Sequence, residues 1–73
     1  MTEITINTAT IRLDQFIKWA GITATGGQAK EIIALGLVKV NGQIEKHRSH
    51  LLAPGDEVIV KGVCYRIKAA PTD

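Results

Sequence analysis

Apolar residues along this chain switch repeatedly between a period of two and a period near 3.6. From Glu3 to Asn7 they alternate, with Ile4 and Ile6 on one side, which predicts a short first strand. From Arg12 to Ala20 the residues Leu13, Phe16, Ile17 and Ala20 recur at i, i+3, i+4 and i+7, one buried face of a helix. Thr10 is positioned to cap this helix with its hydroxyl, and Gly21 stops it. On the helical wheel Arg12, Gln15 and Trp19 share one flank of the buried face, while Asp14 and Lys18 share the other at i, i+4. A second helix begins at Thr25-Gly26-Gly27-Gln28, a capping-box pattern with Thr25 as N-cap and Gln28 as its reciprocal partner. Ala29, Ile32, Ile33 and Gly36 continue it, and Gly36 suits the left-handed position after a helix end.

Leu37 to Ile44 then read as a strand entering a hairpin, because Asn41-Gly42 is a strong turn signal. A two-residue turn sets Ile44 across from Lys39 and mixes the faces. A three-residue loop with Gly42 left-handed sets Ile44 across from Val38 and keeps both apolar side chains together, so the pattern favours the longer loop. Pro54-Gly55-Asp56 marks a further turn, Glu57 to Val60 a strand, Lys61-Gly62 another turn, and Val63 to Ile67 a last strand. The tail from 69 to 73, with Pro71, is expected to fray. The fold class is α+β, with two short helices packed on a small, mainly antiparallel sheet in one domain spanning 1–73.

The chain has 73 residues, of which 45% are hydrophobic, enough for one core near the lower size limit for stability without covalent staples. Its one cysteine, Cys64, cannot close an internal disulfide, which fits a reducing cytoplasm. No apolar run approaches the roughly 20 residues of a membrane span, and the N-terminus lacks the basic-then-hydrophobic plan of a signal peptide.

The net charge of +2 says less than its placement. Between Lys39 and His50 lie Lys39, Lys46, Arg48, His47 and His50 against the single acid Glu45. This asymmetry points to an anionic partner, or to cations that solvate a hairpin edge and discourage strand pairing. The glycines Gly26 and Gly27 disfavour the first helical turn by about 1 kcal/mol each relative to alanine. Two readings account for them: bare first-turn amides that attract phosphate, or a turn so tightly packed that nothing larger fits. Trp19 likewise either offers a face for RNA bases or covers the core edge beside Phe16.

Catalytic equipment is not apparent. Gly26-Gly27 is not followed by the lysine and hydroxyl residue of a phosphate loop. His47 and His50 with one cysteine make no convincing zinc set, and Ser49 has no carboxylate to orient a histidine base. Cys64 lies in strand-like sequence and reads as a small apolar residue. No cofactor, metal or small-molecule substrate is implied, and enzymatic activity is not expected in a chain this short.

Arg12-Leu13-Asp14, Ala20-Gly21, Thr25 with Gln28-Ala29-Lys30, Gly36-x-Val38-x-Val40-Asn41-Gly42 and Pro54-Gly55-Asp56 together resemble the S4 RNA-binding domain, in its order and approximate spacing. The resemblance covers about 11–60, and the TGGQAK form is similar to small free-standing bacterial S4-domain proteins associated with ribosomes. It implies an RNA-binding face made by the two helices and the hairpin (the alpha-L motif). It implicates Arg12, Thr25, Gly26, Gly27, Gln28, Lys30, Lys39 and Asn41, with Lys46 and Arg48 added from local charge. Many family members carry an arginine after the serine or threonine that opens helix two, where this chain has Gly26 and Gly27, so one phosphate contact is either missing or made by backbone amides instead.

The expected function is non-catalytic binding of structured RNA, ribosomal RNA or an assembling ribosome, by a monomer. Arg12, Lys30, Lys46 and Arg48 would engage phosphates, and Gln28 and Asn41 would supply neutral hydrogen bonds. The alternatives are a protein-interaction module using the strand edges and Trp19, or an RNA-holding subunit for a modifying enzyme acting in trans.

Overall fold

The computed structural model of the protein describes residues 1–71. Its elements run β1 (Thr2–Ile6), β2 (Ile11–Arg12), α1 (Leu13–Trp19), α2 (Gly26–Ala34), β3 (Val38–Val40), β4 (Gln43–Ile44), β5 (Leu51–Leu52), β6 (Glu57–Val60) and β7 (Val63–Ala69). Five strands form a sheet in the order β1-β7-β6-β3-β4, and β2 pairs with β5 in a separate two-stranded ladder. All pairings are antiparallel except β1 with β7. The α+β architecture anticipated from the periodicity is the one observed.

The core lies where the predicted faces meet. Leu13, Phe16 and Ile17 of α1 and Ala29 and Ile33 of α2 are fully buried with Val38, Val58 and Leu52, and Ile6, Val60 and Ile67 join them. The alternation along β3 and β6 sends Val38, Val40, Val58 and Val60 to one side, and Lys39 and Ile59 to the other. Burying each such side chain contributes roughly 1.5–3 kcal/mol, which is what holds two short helices in place.

The helix ends follow local chemistry, with two corrections. Gly36, at φ +76°, donates to the Ile33 carbonyl, and Leu37 donates to that of Ile32, which satisfies the last carbonyls of α2 in a Schellman arrangement. At the start of α2, Thr25 Oγ1 accepts from the Gln28 amide at 3.1 Å. The Gln28 side chain reaches one residue further back than expected and accepts from the Ala24 amide at 3.0 Å. Thr10, by contrast, does not cap α1. Arg12, whose extended backbone pairs with Leu51, occupies that position and makes no side-chain cap bond, because a guanidinium has no acceptor to offer the first-turn amides. Arg12 therefore does not share a helix flank with Gln15 and Trp19; it turns back onto Asp14.

The hairpin register is also corrected. Lys39 stands opposite Ile44 and Val40 opposite Gln43, so the turn has two residues. Asn41 and Gly42 both have positive φ, at +50° and +86°, the backbone of the tight turn whose twist matches its strands. A longer loop is needed only if Ile44 must be buried, yet Ile44 is 57% exposed, so nothing demands that register. Ala69 closes β7 opposite Ile6, and the Ala70 amide donates to the Ile6 carbonyl at 2.9 Å. Positions 72 and 73 lie outside the described residues.

Candidate functional site

The segment between β4 and β5 carries most of the clustered cations, and a single carboxylate organises it. Glu45 Oε2 accepts from the His47 amide at 3.1 Å and lies 2.9 Å from His47 Nδ1; Oε1 lies 3.0 Å from His50 Nδ1. The hydrogen bonds from the His47 ring and amide hold the Glu45 carboxyl below its ordinary range, and the charges of both histidines add to this. The His50 amide donates to the His47 carbonyl, closing the turn at 3.1 Å.

Two backbone hydrogen bonds fasten this turn to α1. The first amides of a helix have no partners within it. Here Leu13 donates to the His50 carbonyl at 2.8 Å and Asp14 to the Arg48 carbonyl at 3.1 Å. The negative ends of those carbonyls meet the positive end of the helix dipole. The chain then enters β5, which pairs with β2 immediately before α1.

Across from this turn stands α2. Lys30 and Ala34 on the helix and Lys46, His47, Arg48 and Ser49 on the turn line an open cleft of about 300 Å³, with no acid among them. Lys46 packs beside Gly36, where a Cβ would lie 3.4 Å from Lys46 Cε, an ordinary contact. Gly26, Lys30 and Ala34 fall at i, i+4 and i+8 on α2, so the helix start lies one turn from Lys30. A Cβ on Gly26 would meet nothing within 4 Å, and one on Gly27 only Thr25 Oγ1 at 3.9 Å. Crowding therefore does not explain the two glycines. Their amides have no acceptor outside the helix among the described residues.

The remaining residues singled out from sequence are dispersed around this centre. Thr25 is exposed and occupied as the cap of α2. Gln28 is occupied by Ala24 and borders a different cleft, with Ile32, Leu35 and Lys61. Lys39 is exposed on β3 between Ile44 and Ile59. Asn41 ties the hairpin to the next turn: its Nδ2 donates to Asp56 Oδ1 at 3.2 Å, and its Oδ1 accepts from the Glu57 amide at 3.0 Å. Arg12 Nη2 donates to Asp14 Oδ2 at 2.8 Å, and its Nε is buried without a partner among the described residues. Trp19 is 58% exposed, and its indole donates to the Thr5 carbonyl at 3.0 Å, so it overlaps the edge of β1 rather than sealing the core.

Sequence reasoning does not single out Glu45. The Glu-x-His-x-x-His spacing is the available signal, but only the closed turn converts it into one carboxylate between two rings. Cys64 is half-buried, and its thiol donates to Glu57 Oε1 at 3.6 Å. Burial first, and then that carboxylate, push the thiol up, away from the thiolate a nucleophile requires. Among the described residues no helix is long and apolar enough to cross a membrane.

Comparison with known proteins agrees with this geometry. The family model for the S4 domain matches residues 4–68. The chain is 37% identical over 59 residues to a probable ribosome maturation protein, RlbA, of Bacillus subtilis (strain 168), covering 81% of this chain and 83% of that protein. Among solved structures it resembles YbcJ from E. coli, with a TM-score of 0.72 at 28% identity, over 94% of this chain and 89% of YbcJ. The solution structure of YbcJ reveals an alpha-L motif involved in RNA binding. The 30S ribosomal protein S4e from Thermoplasma acidophilum shares the fold, with a TM-score of 0.70 at 24% identity over 82% of this chain. The chain spans about a third of S4e, 32% of its length.

Proposed function

The chain belongs to the S4 domain family, and on that premise we propose that it is a non-catalytic RNA-binding protein that recognises structured RNA, ribosomal RNA or an assembling ribosome. The observation that carries this is the convergence of Lys30, Lys46 and Arg48 on one cleft with no acid in its lining. Phosphates would lie in that cleft, against the three cations and the open amides of Gly26 and Gly27. Arg12, Thr25, Gln28, Lys39 and Asn41 would border the contact. Several of these side chains already have partners in the protein, so they would shape the surface more than grip the RNA. Residues 1–73 would act as one unit, as a monomer in the cytoplasm, without cofactor or metal. The ribosome maturation name of the Bacillus relative supports the ribosomal assignment.

Binding should be governed by charge and shape. Three phosphate contacts give a slope of log affinity against log salt of about −2.1 to −2.7. Affinity would then fall roughly 20- to 40-fold between 50 and 200 mM salt. The test is an anisotropy titration of ribosomal RNA fragments against the wild type and the double variant Lys46→Glu/Arg48→Glu. Weaker binding, a shallower salt slope and an unchanged circular dichroism spectrum are expected. Unaltered binding in the double variant removes the turn from the site. Absent or salt-independent RNA binding, together with a stable protein partner, favours an interaction module instead.

A further inference from the structure

His47 has a chemistry that fixed cations lack. Its Nδ1 faces Glu45 Oε2 at 2.9 Å, and its side chain is 85% exposed where it lines the cleft. An ionised carboxylate only accepts hydrogen bonds, so the proton of the neutral ring sits on Nδ1. Nε2 is then a lone-pair acceptor, which offers an anion nothing. Taking up a proton converts Nε2 into a donor and gives the ring a positive charge, while the Nδ1 bond to Glu45 is kept. We propose that His47 is a proton-dependent phosphate ligand of the cleft, so that this protein holds RNA more tightly at low pH than at high pH. The inference rests on the RNA-binding reading and adds a residue and a control to it.

The charged groups around the ring divide in sign. Glu45 attracts the imidazolium from within the turn, whereas Lys46 and Arg48 on the same turn and Lys30 from α2 repel it. Asp14 and Arg12, behind the turn at the start of α1, are engaged with each other. An RNA phosphate entering the cleft reverses this balance, because it screens the three cations and adds a second anion beside the ring. Binding therefore takes up a proton from solvent. His50 shares Glu45 but borders the other side of the turn, with Val40, Asn41 and Ile44, away from the cationic cleft. It serves as the internal control.

The experiment is an anisotropy titration of one ribosomal RNA hairpin at pH 5.5, 6.5 and 8.0, over several salt concentrations. Wild type, His47→Gln, His50→Gln and Lys46→Glu/Arg48→Glu are compared, with folding checked by circular dichroism at each pH. Wild-type affinity should rise about two- to fivefold from pH 8.0 to 5.5, the size of one exposed charge contact. The salt slope should steepen by about 0.7–0.9 over the same range. His47→Gln should abolish both changes, while His50→Gln keeps both changes. RNA binding that depends on Lys46 and Arg48 but shows the same pH response in His47→Gln overturns the role of His47 alone. No RNA binding at any pH overturns the RNA-binding reading, and this inference with it.

Discussion

Replacing Gly26 and Gly27 together by alanine separates what these residues do for the fold from what they do for a ligand. Neither glycine has a positive φ, so alanine adopts the same backbone without strain. Neither new methyl group meets anything closer than 3.9 Å. The substitution therefore brings only the gain in helix propensity and the reduced freedom of the unfolded chain. At two first-turn positions this amounts to about 1–1.5 kcal/mol in total. For a domain of this size it corresponds to a rise in Tm of roughly 4–12 °C, measured by thermal unfolding followed by far-ultraviolet circular dichroism. The same methyl groups cover the amides that α2 leaves open beside Lys30, so RNA affinity should fall while stability rises. A lower Tm would refute the reasoning, since it would mean that the glycines serve packing or turn geometry within the chain. A higher Tm with unchanged affinity would withdraw the helix start from the interface and leave only Lys30, Lys46 and Arg48.

Asn41→Ala removes the hydrogen bonds to Asp56 and Glu57 and puts a Cβ-bearing residue without local hydrogen bonding at φ +50°. The expected loss is about 1–2 kcal/mol, read as a lower urea midpoint at unchanged m, and Asn41→Gly should recover the backbone share. Glu45 and Glu57 both titrate below their ordinary value of 4.5 in the folded protein, chiefly through bonds from His47 and Arg66 respectively. Groups lowered in this way stabilise the fold above the unfolded value, and that stability is lost as pH falls through the folded values. Urea unfolding should therefore show stability declining below about pH 4.5, with Glu45→Gln removing part of the decline.

Much of the fold is legible in the sequence because the two periods are clean. Leu13, Phe16 and Ile17, then Ala29 and Ile33, repeat at helical spacing, and each is buried. Turns at Pro54-Gly55 and Lys61-Gly62 stand where their residue types predict. The hairpin register departs from expectation because alternation alone does not demand a buried Ile44. In a two-residue turn the backbone chooses the register, and a short edge strand tolerates an exposed isoleucine. The β2–β5 ladder carries no signal, since two-residue strands have no period. Thr10 is a good capping type in a plausible place, yet the pairing of Arg12 with Leu51 sets where α1 begins. Once that pairing exists, Arg12 lies beside Asp14 and its guanidinium is committed there.

By itself the sequence determined the family, the two amphipathic helices, the Asn41-Gly42 turn and the residue types of a cationic surface. These are local properties, set by spacing, by turn chemistry and by the order of short motifs. It did not determine which cations act together. Lys30 lies far along the chain from Lys46 and Arg48, and only the docking of the 45–50 turn onto the start of α1 sets that turn across from α2. The docking uses the carbonyls of Arg48 and His50 and the amides of Leu13 and Asp14, groups that every residue of those types possesses. Backbone partners of this kind leave no mark in a sequence, and so the cleft belongs to the tertiary structure.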